Sequence, residues 1–354
     1  LVDAQHAGCQ DRPAGAVAPP GGGNRVDGGR QRGSCRAVAK IVEAVIEAAV
    51  VAAGRHRKAR CAIGRFRLHP PNPIQRAAAS GIAEITRPDS PVAYAGGVPE
   101  GDTIHRSAAA LRTALVGRPI MVFDAPRLYG PRPAIGRVIE RVESHGKHLE
   151  IFFDDGIVLH THMRMTGSWH LYRTGERWRR FRGETRVVIE VPEWVAVCFN
   201  APDVETFREF DPMRHPRFGR LGPDLCTATK DQLEECVRRL VHYPERDMPV
   251  ADVLLDQHVM CGVGNVYRSE ILWACEISPF ATVADLDVAD WVQIVNAATR
   301  MLRSNLSRSG RVTQPDVPGG LAVYGRNGRP CARCGHTVEV RRSGDYSRLV
   351  YFCG

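Results

Sequence analysis

The sequence predicts an α+β protein: a leading helix on an antiparallel β-sandwich, then a helical domain, then a cysteine-bearing β-hairpin. Three observations carry this prediction. Alternating apolar segments fill residues 120–199, segments with helical periodicity fill residues 230–304, and residues 319–354 combine glycine-bearing turns with Cys331-x2-Cys334 and a later Cys353.

The chain has 354 residues and a formal net charge of +9. That charge invites a nucleic-acid reading, but residues 1–97 hold 14 Lys+Arg against 7 Asp+Glu and so carry +7 of it. DNA binding therefore has to be argued from local placement in the remainder. Residues 1–97 contain only Phe66 and Tyr94 as aromatics, with Gly21-Gly22-Gly23 and Pro70-Pro71-Asn72-Pro73 as breakers. One helical stretch, residues 37–53, does not make a core. The segment lacks the pattern of a secretory signal, and no span of about 20 apolar residues follows. With no export signal, the 11 cysteines read as reduced thiols, with metal binding expected where they pair closely.

The interior stretch Val98-Pro99-Glu100-Gly101-Asp102-Thr103 reads like the beginning of a protein. From Asp102 to Leu115, Ile104, Ala108, Leu111 and Leu115 recur at helical spacing, and Gly117 supplies a stop. Strands follow at residues 120–123, 135–142, 148–153, 157–163, 186–191 and 195–199, with Asp155-Gly156 as a hairpin turn. From Asp203 to Pro223 the pattern loosens into an expected hinge, which ends in Leu221-Gly222-Pro223-Asp224-Leu225. Helices are expected at residues 230–241, 250–258, 265–275 and 288–304. Asn265 would cap the third after a glycine-bearing turn, leaving unpaired N–H groups and a positive dipole suited to a phosphate. An ordinary helix–turn–helix connection is the other reading of that stretch.

A proline nitrogen is nucleophilic only when it carries no acyl group, so Pro99 could act only as a chain terminus. A terminal α-amino group has a pKa of about 7.7–8.0 against about 10.4 for lysine, which makes it an effective imine-forming amine at neutral pH. Pro-Glu-Gly-Asp-Thr at 99–103, Gly146-Lys147-His148-Leu149 and Gly262-Val263-Gly264-Asn265-Val266-Tyr267, in this order, resemble the formamidopyrimidine-DNA glycosylase and endonuclease VIII family. The resemblance spans residues 98 to 354.

The resemblance implies that the mature enzyme begins at Pro99, with Val98 a GTG-encoded start. Residues 1–97 would then be translated upstream DNA or a removable extension, a disordered tail being the alternative. It implies a β-sandwich catalytic domain over 98–215, a helix-two-turn-helix DNA-binding domain over 216–318 and a zinc β-hairpin over 319–354. Pro99 would be the nucleophile, Glu100 its proton donor and acceptor, and Lys147 an active-site lysine on the DNA backbone rather than a solvated turn residue. Met165, in the run Met163-Arg164-Met165, would fill the hole left by the everted nucleotide, unless it is a core methionine. Asn265 would hold phosphate, Arg268, one turn further, would be DNA-binding, and Arg348 would be the hairpin arginine gripping the lesion's phosphate. Glu270 has no assigned chemistry.

Cys331, Cys334 and Cys353 would hold a structural Zn2+. Here the chain departs from the family, because it stops where a fourth cysteine is expected. A truncated zinc hairpin, substitution by His336 or no metal remain open. The expected activity is that of a bifunctional DNA glycosylase and AP lyase, acting on damaged double-stranded DNA by base flipping and β,δ-elimination. The Pro-Glu-Gly beginning resembles the branch that favours oxidised pyrimidines; 8-oxoguanine and formamidopyrimidines are the alternative substrates. A non-catalytic DNA-binding module results if the extension is retained. A monomer in the bacterial cytoplasm, at the nucleoid and without membrane contact, completes the expectation.

Overall fold

The computed structural model describes residues 98–210, 220–344 and 347–354. The expected extension over 1–97, the boundary at 215/216 and Pro212, Pro216 and Gly219 of the hinge lie outside these residues. Helix α1, Gly101–Leu115, opens the described chain. Strands β1 Val122–Asp124, β2 Ile139–His145, β3 His148–Phe153, β4 Ile157–His162, β5 Ser168–Arg173, β6 Thr185–Val191, β7 Trp194–Phe199 and β8 Asp203–Arg208 follow. They form two four-stranded antiparallel sheets, ordered β1-β6-β7-β5 and β2-β3-β4-β8.

The core lies between the sheets, where Leu149, Ile151, Phe153 and Leu159 meet Val187, Ile189 and Ala196. Alternation along each strand sends these apolar residues to one face. Helix α1 seals one margin of the sandwich by burying Ile104, Ala108, Leu111 and Leu115, the helical spacing read in the sequence. Because its apolar stripe is anchored in that core, the residues just before it are held in a fixed place.

Two strands depart from expectation. Strand β5 lay just beyond the Met163–Gly167 run and was not expected; it is buried along nearly its whole length, Trp169 and Leu171 facing the core and Tyr172 packing with Phe199 on the other face. Strand β8 falls inside the segment read as hinge. It is a polar edge strand whose residues match β4 across the ladder, Glu205 opposite His160 and Asp203 opposite His162, with His–carboxylate pairs at 3.2 and 3.3 Å. Cross-strand pairing makes this charged sequence a strand.

The helical part comprises α2 Lys230–Val241, α3 Val250–Val253, α4 Asn265–Cys275 and α5 Val288–Ser304. Capping boxes start α2 at Thr229 and α5 at Asp287. Helix α3 is four residues long, not the expected nine. Asp256 bonds the N–H of His258, and Gln257 bonds Leu255 O, Val263 O and Gly262 N. Such side-chain bonds compete with helix continuation. Strands β9 Glu339–Ser343 and β10 Arg348–Phe352 form the terminal antiparallel hairpin. No described helix is long and apolar enough to cross a membrane.

The sandwich and the helical part are joined through Asp224, read in the sequence only as hinge. Its carboxylate accepts from His105 of α1 at 2.8 Å, from Gly146 N–H at 2.6 Å and from Cys226 N–H at 2.9 Å. Burial pushes its pKa up, but the His105 ring and these N–H groups more than offset that, leaving it below the usual carboxylate range.

Candidate active site

Pro99 and Glu100 are buried at the entry to α1, against the turn that precedes α4. Gly101 N–H donates to Gly262 O at 2.9 Å, which fixes the register of that contact. The Glu100 side chain then reaches the start of α4. Its Oε2 accepts from the N–H of Gly264 at 3.0 Å and of Tyr267 at 3.2 Å, and its Oε1 accepts from Val266 N–H at 2.7 Å. The helix start is therefore an anion site, as its N–H groups and dipole require. The anion that takes these N–H groups in this structure is Glu100.

Gly264, not Asn265, is the N-cap of α4. A Cβ at Gly264 would lie 2.5 Å from Glu100 Cδ, so only glycine admits the carboxylate. Glu100 is wholly buried. Desolvation raises its pKa, opposed by Arg311 and Lys147 and by the bond from Val266.

Arg311 was not singled out in the sequence. Its Nη2 lies 2.7 Å from Asp102 Oδ1, its Nη1 3.9 Å from Glu100 Oε1, and its guanidinium carbon 4.8 Å from the centre of the Tyr267 ring. Both Nη atoms also lie 3.3 Å from Val98 O, the carbonyl that acylates Pro99. Sequence separations of about 200 residues hid this cluster from any local pattern.

Lys147 enters from the β2–β3 turn. That turn is pressed against the same Cys261-Gly262 stretch: a Cβ on Gly146, whose φ is +58°, would lie 2.6 Å from Cys261 Cβ. Lys147 is half-buried. Desolvation pulls its ammonium down to about 8, with Glu100 opposing the fall and Arg348 adding to it. The structure thus brings Pro99, Glu100 and Lys147 to one place and adds Arg311.

The remaining expected contacts divide. Met165 is 73% exposed at its loop tip, whereas Met163 is the core methionine. Beside Met165, Arg164 has φ 45° and a two-point bond to Asp203, at 2.8 and 3.2 Å. Arg348 is exposed at the start of β10. It lines a cleft of about 540 Å³ with Asp252, Asp256, Ser343 and Tyr243.

Arg268 corrects an expectation: its side chain is completely buried, paired with Asp252 at 3.1 Å, and cannot meet DNA there. It donates to the carbonyls of Arg348 and Leu349 at 3.3 Å, and Asn265 Nδ2 donates to Leu349 O at 2.9 Å. These two residues clamp the strand that carries Arg348. Glu270 is a hub, accepting from the N–H groups of Ala322, Val323 and Tyr324 at 2.8–2.9 Å and from the Thr313 hydroxyl.

The Sγ atoms of Cys331, Cys334 and Cys353 lie within 4.8 Å of one another, a group that could hold a metal ion. No fourth metal-ligating side chain joins it among the described residues. His336 contributes a backbone carbonyl to Cys331 N–H at 2.7 Å. Trp273 of α4 donates its indole N–H to Cys331 Sγ at 3.3 Å, tying the cluster to the helix that holds Glu100.

Comparison with known proteins bears on the same residues. Residues 98–210 match the formamidopyrimidine-DNA glycosylase N-terminal domain, and residues 221–316 match the formamidopyrimidine-DNA glycosylase H2TH domain. A probable endonuclease 8 2 of Streptomyces coelicolor is 34% identical over 72% of this chain and 92% of its own length. A DNA-(apurinic or apyrimidinic site) lyase of Mycolicibacterium smegmatis is 36% identical, over 72% of this chain and 97% of that protein. Endonuclease 8 of Escherichia coli is 31% identical over 72% and 98%.

Among solved structures, the MutM protein of Thermus thermophilus has a TM-score of 0.58 at 27% identity, covering 72% of this chain and 97% of that one. The formamidopyrimidine-DNA glycosylase of Lactococcus lactis, bound to DNA containing an AP site, has a TM-score of 0.60 over 72% and 98%; at 20% identity it speaks for the fold alone. With both domains matched in order and relatives above 30% identity covered almost end to end, this chain belongs to the formamidopyrimidine-DNA glycosylase/endonuclease VIII family.

Proposed function

We propose that the protein is a DNA glycosylase and AP lyase of base excision repair, which removes oxidised bases, preferentially pyrimidines, from double-stranded DNA and cuts the strand. The observation that carries this reading is the buried Pro99-Glu100 pair held against the start of α4. Relatives named endonuclease 8 and AP lyase, matched over nearly their whole lengths, support it.

Removal of every residue before Pro99 frees its nitrogen and releases Arg311 from the Val98 carbonyl. The proline nitrogen then attacks C1′ of the flipped nucleoside; the glycosidic bond breaks, and the base leaves with its electron pair and takes up the proton that the proline nitrogen sheds. Glu100, whose burial keeps its proton to higher pH than an ordinary carboxyl, donates to the sugar ring oxygen as the ring opens and the iminium forms. Loss of a C2′ proton expels the 3′ phosphate, and a second elimination expels the 5′ phosphate.

Lys147 and Arg348 hold backbone phosphates beside the lesion, and Met165 fills the vacated position in the stack. Asn265 and Arg268 act by positioning β10. Cys331, Cys334 and Cys353 would hold Zn2+; three clustered thiols suit that ion, which would supply a structural cross-link for the hairpin.

The test compares duplexes carrying thymine glycol or 8-oxoguanine, using a chain that begins at Pro99. The expected result is faster release of thymine glycol, leaving strand ends phosphorylated on both sides of the gap. Faster release of 8-oxoguanine would reverse the substrate assignment, and intact strands with either lesion would remove the activity.

A further inference from the structure

On the reading that duplex DNA is the substrate, the loop between β5 and β6 stands out for its concentration of cationic and aromatic side chains. This loop reads Arg177-Trp178-Arg179-Arg180-Phe181-Arg182, four arginines and two aromatic residues in succession. The family-matched part of the chain carries little net charge, so this is a marked local concentration.

The sheet register shows where the loop goes. Strand β5 starts at Ser168, paired with Phe199, and ends at Arg173, paired with Trp194. Strand β6 starts at Thr185, which also pairs with Phe199. The intervening residues must therefore travel back across the sheet's outer face to the end where β5 began. Trp178 holds them there, its ring stacked 6.2 Å from Tyr172 and edge-on 6.1 Å from Phe199. Arg180 completes the fastening, with Nη1 3.0 Å from Ser168 Oγ and Nε 3.2 Å from Glu184.

Ser168 directly follows the Met163–Gly167 loop, so the Arg180 bond to Ser168 ties the basic segment to the strand end that this loop enters. Phe181 is 76% exposed, comparable with Met165. Arg177, Arg179 and Arg182 are exposed, and none has an acidic partner among the described residues. Arg182 lies over the Trp178 ring at 4.7 Å, which keeps its guanidinium near the loop tip.

We infer that Arg177, Arg179 and Arg182 bind phosphates of the duplex beside the lesion, and that Phe181 stacks on a base exposed there by the distortion. Cations that neutralise phosphates release counterions, whereas a stacked ring does not. The two contributions are therefore separable by salt.

The experiment measures binding of a duplex with an abasic-site analogue by fluorescence anisotropy, between about 50 and 200 mM salt, using the chain that begins at Pro99. Replacing Arg177, Arg179 and Arg182 together by Ala is expected to flatten the log–log salt slope by about 2.7 and to weaken binding on the order of a hundredfold near 0.15 M salt. Replacing the same three by Lys is expected to keep the slope. Phe181→Ala is expected to lower affinity several-fold with the slope intact.

Should loss of Arg182 disturb Trp178, detected as a lowered unfolding temperature, Arg177→Ala with Arg179→Ala tests the same claim through a slope change of about 1.8. An unchanged slope and affinity in these folded variants would overturn the proposal. Borohydride trapping at saturating protein separates the two levels. Trapping by parent and variant alike leaves the glycosylase reading standing whatever the slopes show, and no trapping by the parent removes that reading first.

Discussion

Two glutamates of the same helix neighbourhood each accept three backbone N–H groups in different surroundings. Glu100 accepts three backbone N–H groups at the start of α4, and Glu270, on the second turn of α4, accepts three from residues 322–324. Both are wholly buried. What separates them is their surroundings. Glu270 adds only the Thr313 hydroxyl and staples a loop to the helix. Glu100 follows Pro99 directly and feels Lys147 and Arg311. A nest of N–H groups thus marks a fixed carboxylate, and of the two only Glu100 adjoins Pro99, Lys147 and Arg311.

The comparison breaks most sharply at Glu100 itself. In a chain beginning at Pro99, Glu100→Gln is expected to lower the single-turnover excision rate about 10²–10⁴-fold while the unfolding temperature falls less than on loss of Glu270, because the amide oxygen can keep the Gly264 and Tyr267 N–H groups and only Val266 N–H loses its acceptor. Glu270→Ala is expected to do the reverse. Three buried N–H groups lose their acceptor, costing roughly 3 kcal/mol or about 10 °C in Tm, with the rate at saturating DNA kept within a few-fold. Thermal unfolding and single-turnover kinetics on the two variants read both outcomes; equal rate losses would erase the distinction.

A finer cut is Gly264→Ala. Its methyl group would enter the space of Glu100 Cδ, so kcat is expected to fall about tenfold or more with KM changed less. The smallest effect concerns pH. Desolvation lowers Lys147 to about 8 in the free protein, so its positive charge is present below that pH and lost as pH rises through it. Phosphate contact favours the charged form, and affinity for abasic-site DNA is expected to weaken several-fold between about pH 8 and 9. Lys147→Arg removes that dependence, since guanidinium keeps its proton. A flat profile in the parent would place Lys147 away from the phosphates.

Much of the fold was legible because its signals are local. Strand β3 and helices α2, α4 and α5 have the bounds that periodicity and caps mark in the sequence. Strand β8 was not legible, since its carboxylates look like loop until β4 places histidines opposite them. At the site, Pro99 and Glu100 were visible as residue types at what reads as a chain start, and Lys147 only through the family resemblance of Gly146-Lys147-His148-Leu149. The partner of Glu100 was not: a helix start with free N–H groups looks the same whether a phosphate or a distant side chain will fill it. Arg268 failed for a related reason, because helical spacing places it near Asn265 without telling that β10 covers it. Arg311 and Asp224 act only through contacts made far along the chain.

The central claim is that a free Pro99 nitrogen forms the covalent bond to DNA. Its most direct test is borohydride trapping on an abasic-site duplex, followed by mass mapping of the adduct, with chains beginning at Pro99 and at residue 1 run in parallel. The expected result is a stable adduct on Pro99 in the shorter chain and none in the longer one. An adduct on any other residue of the shorter chain, or equal trapping by both chains, would contradict it.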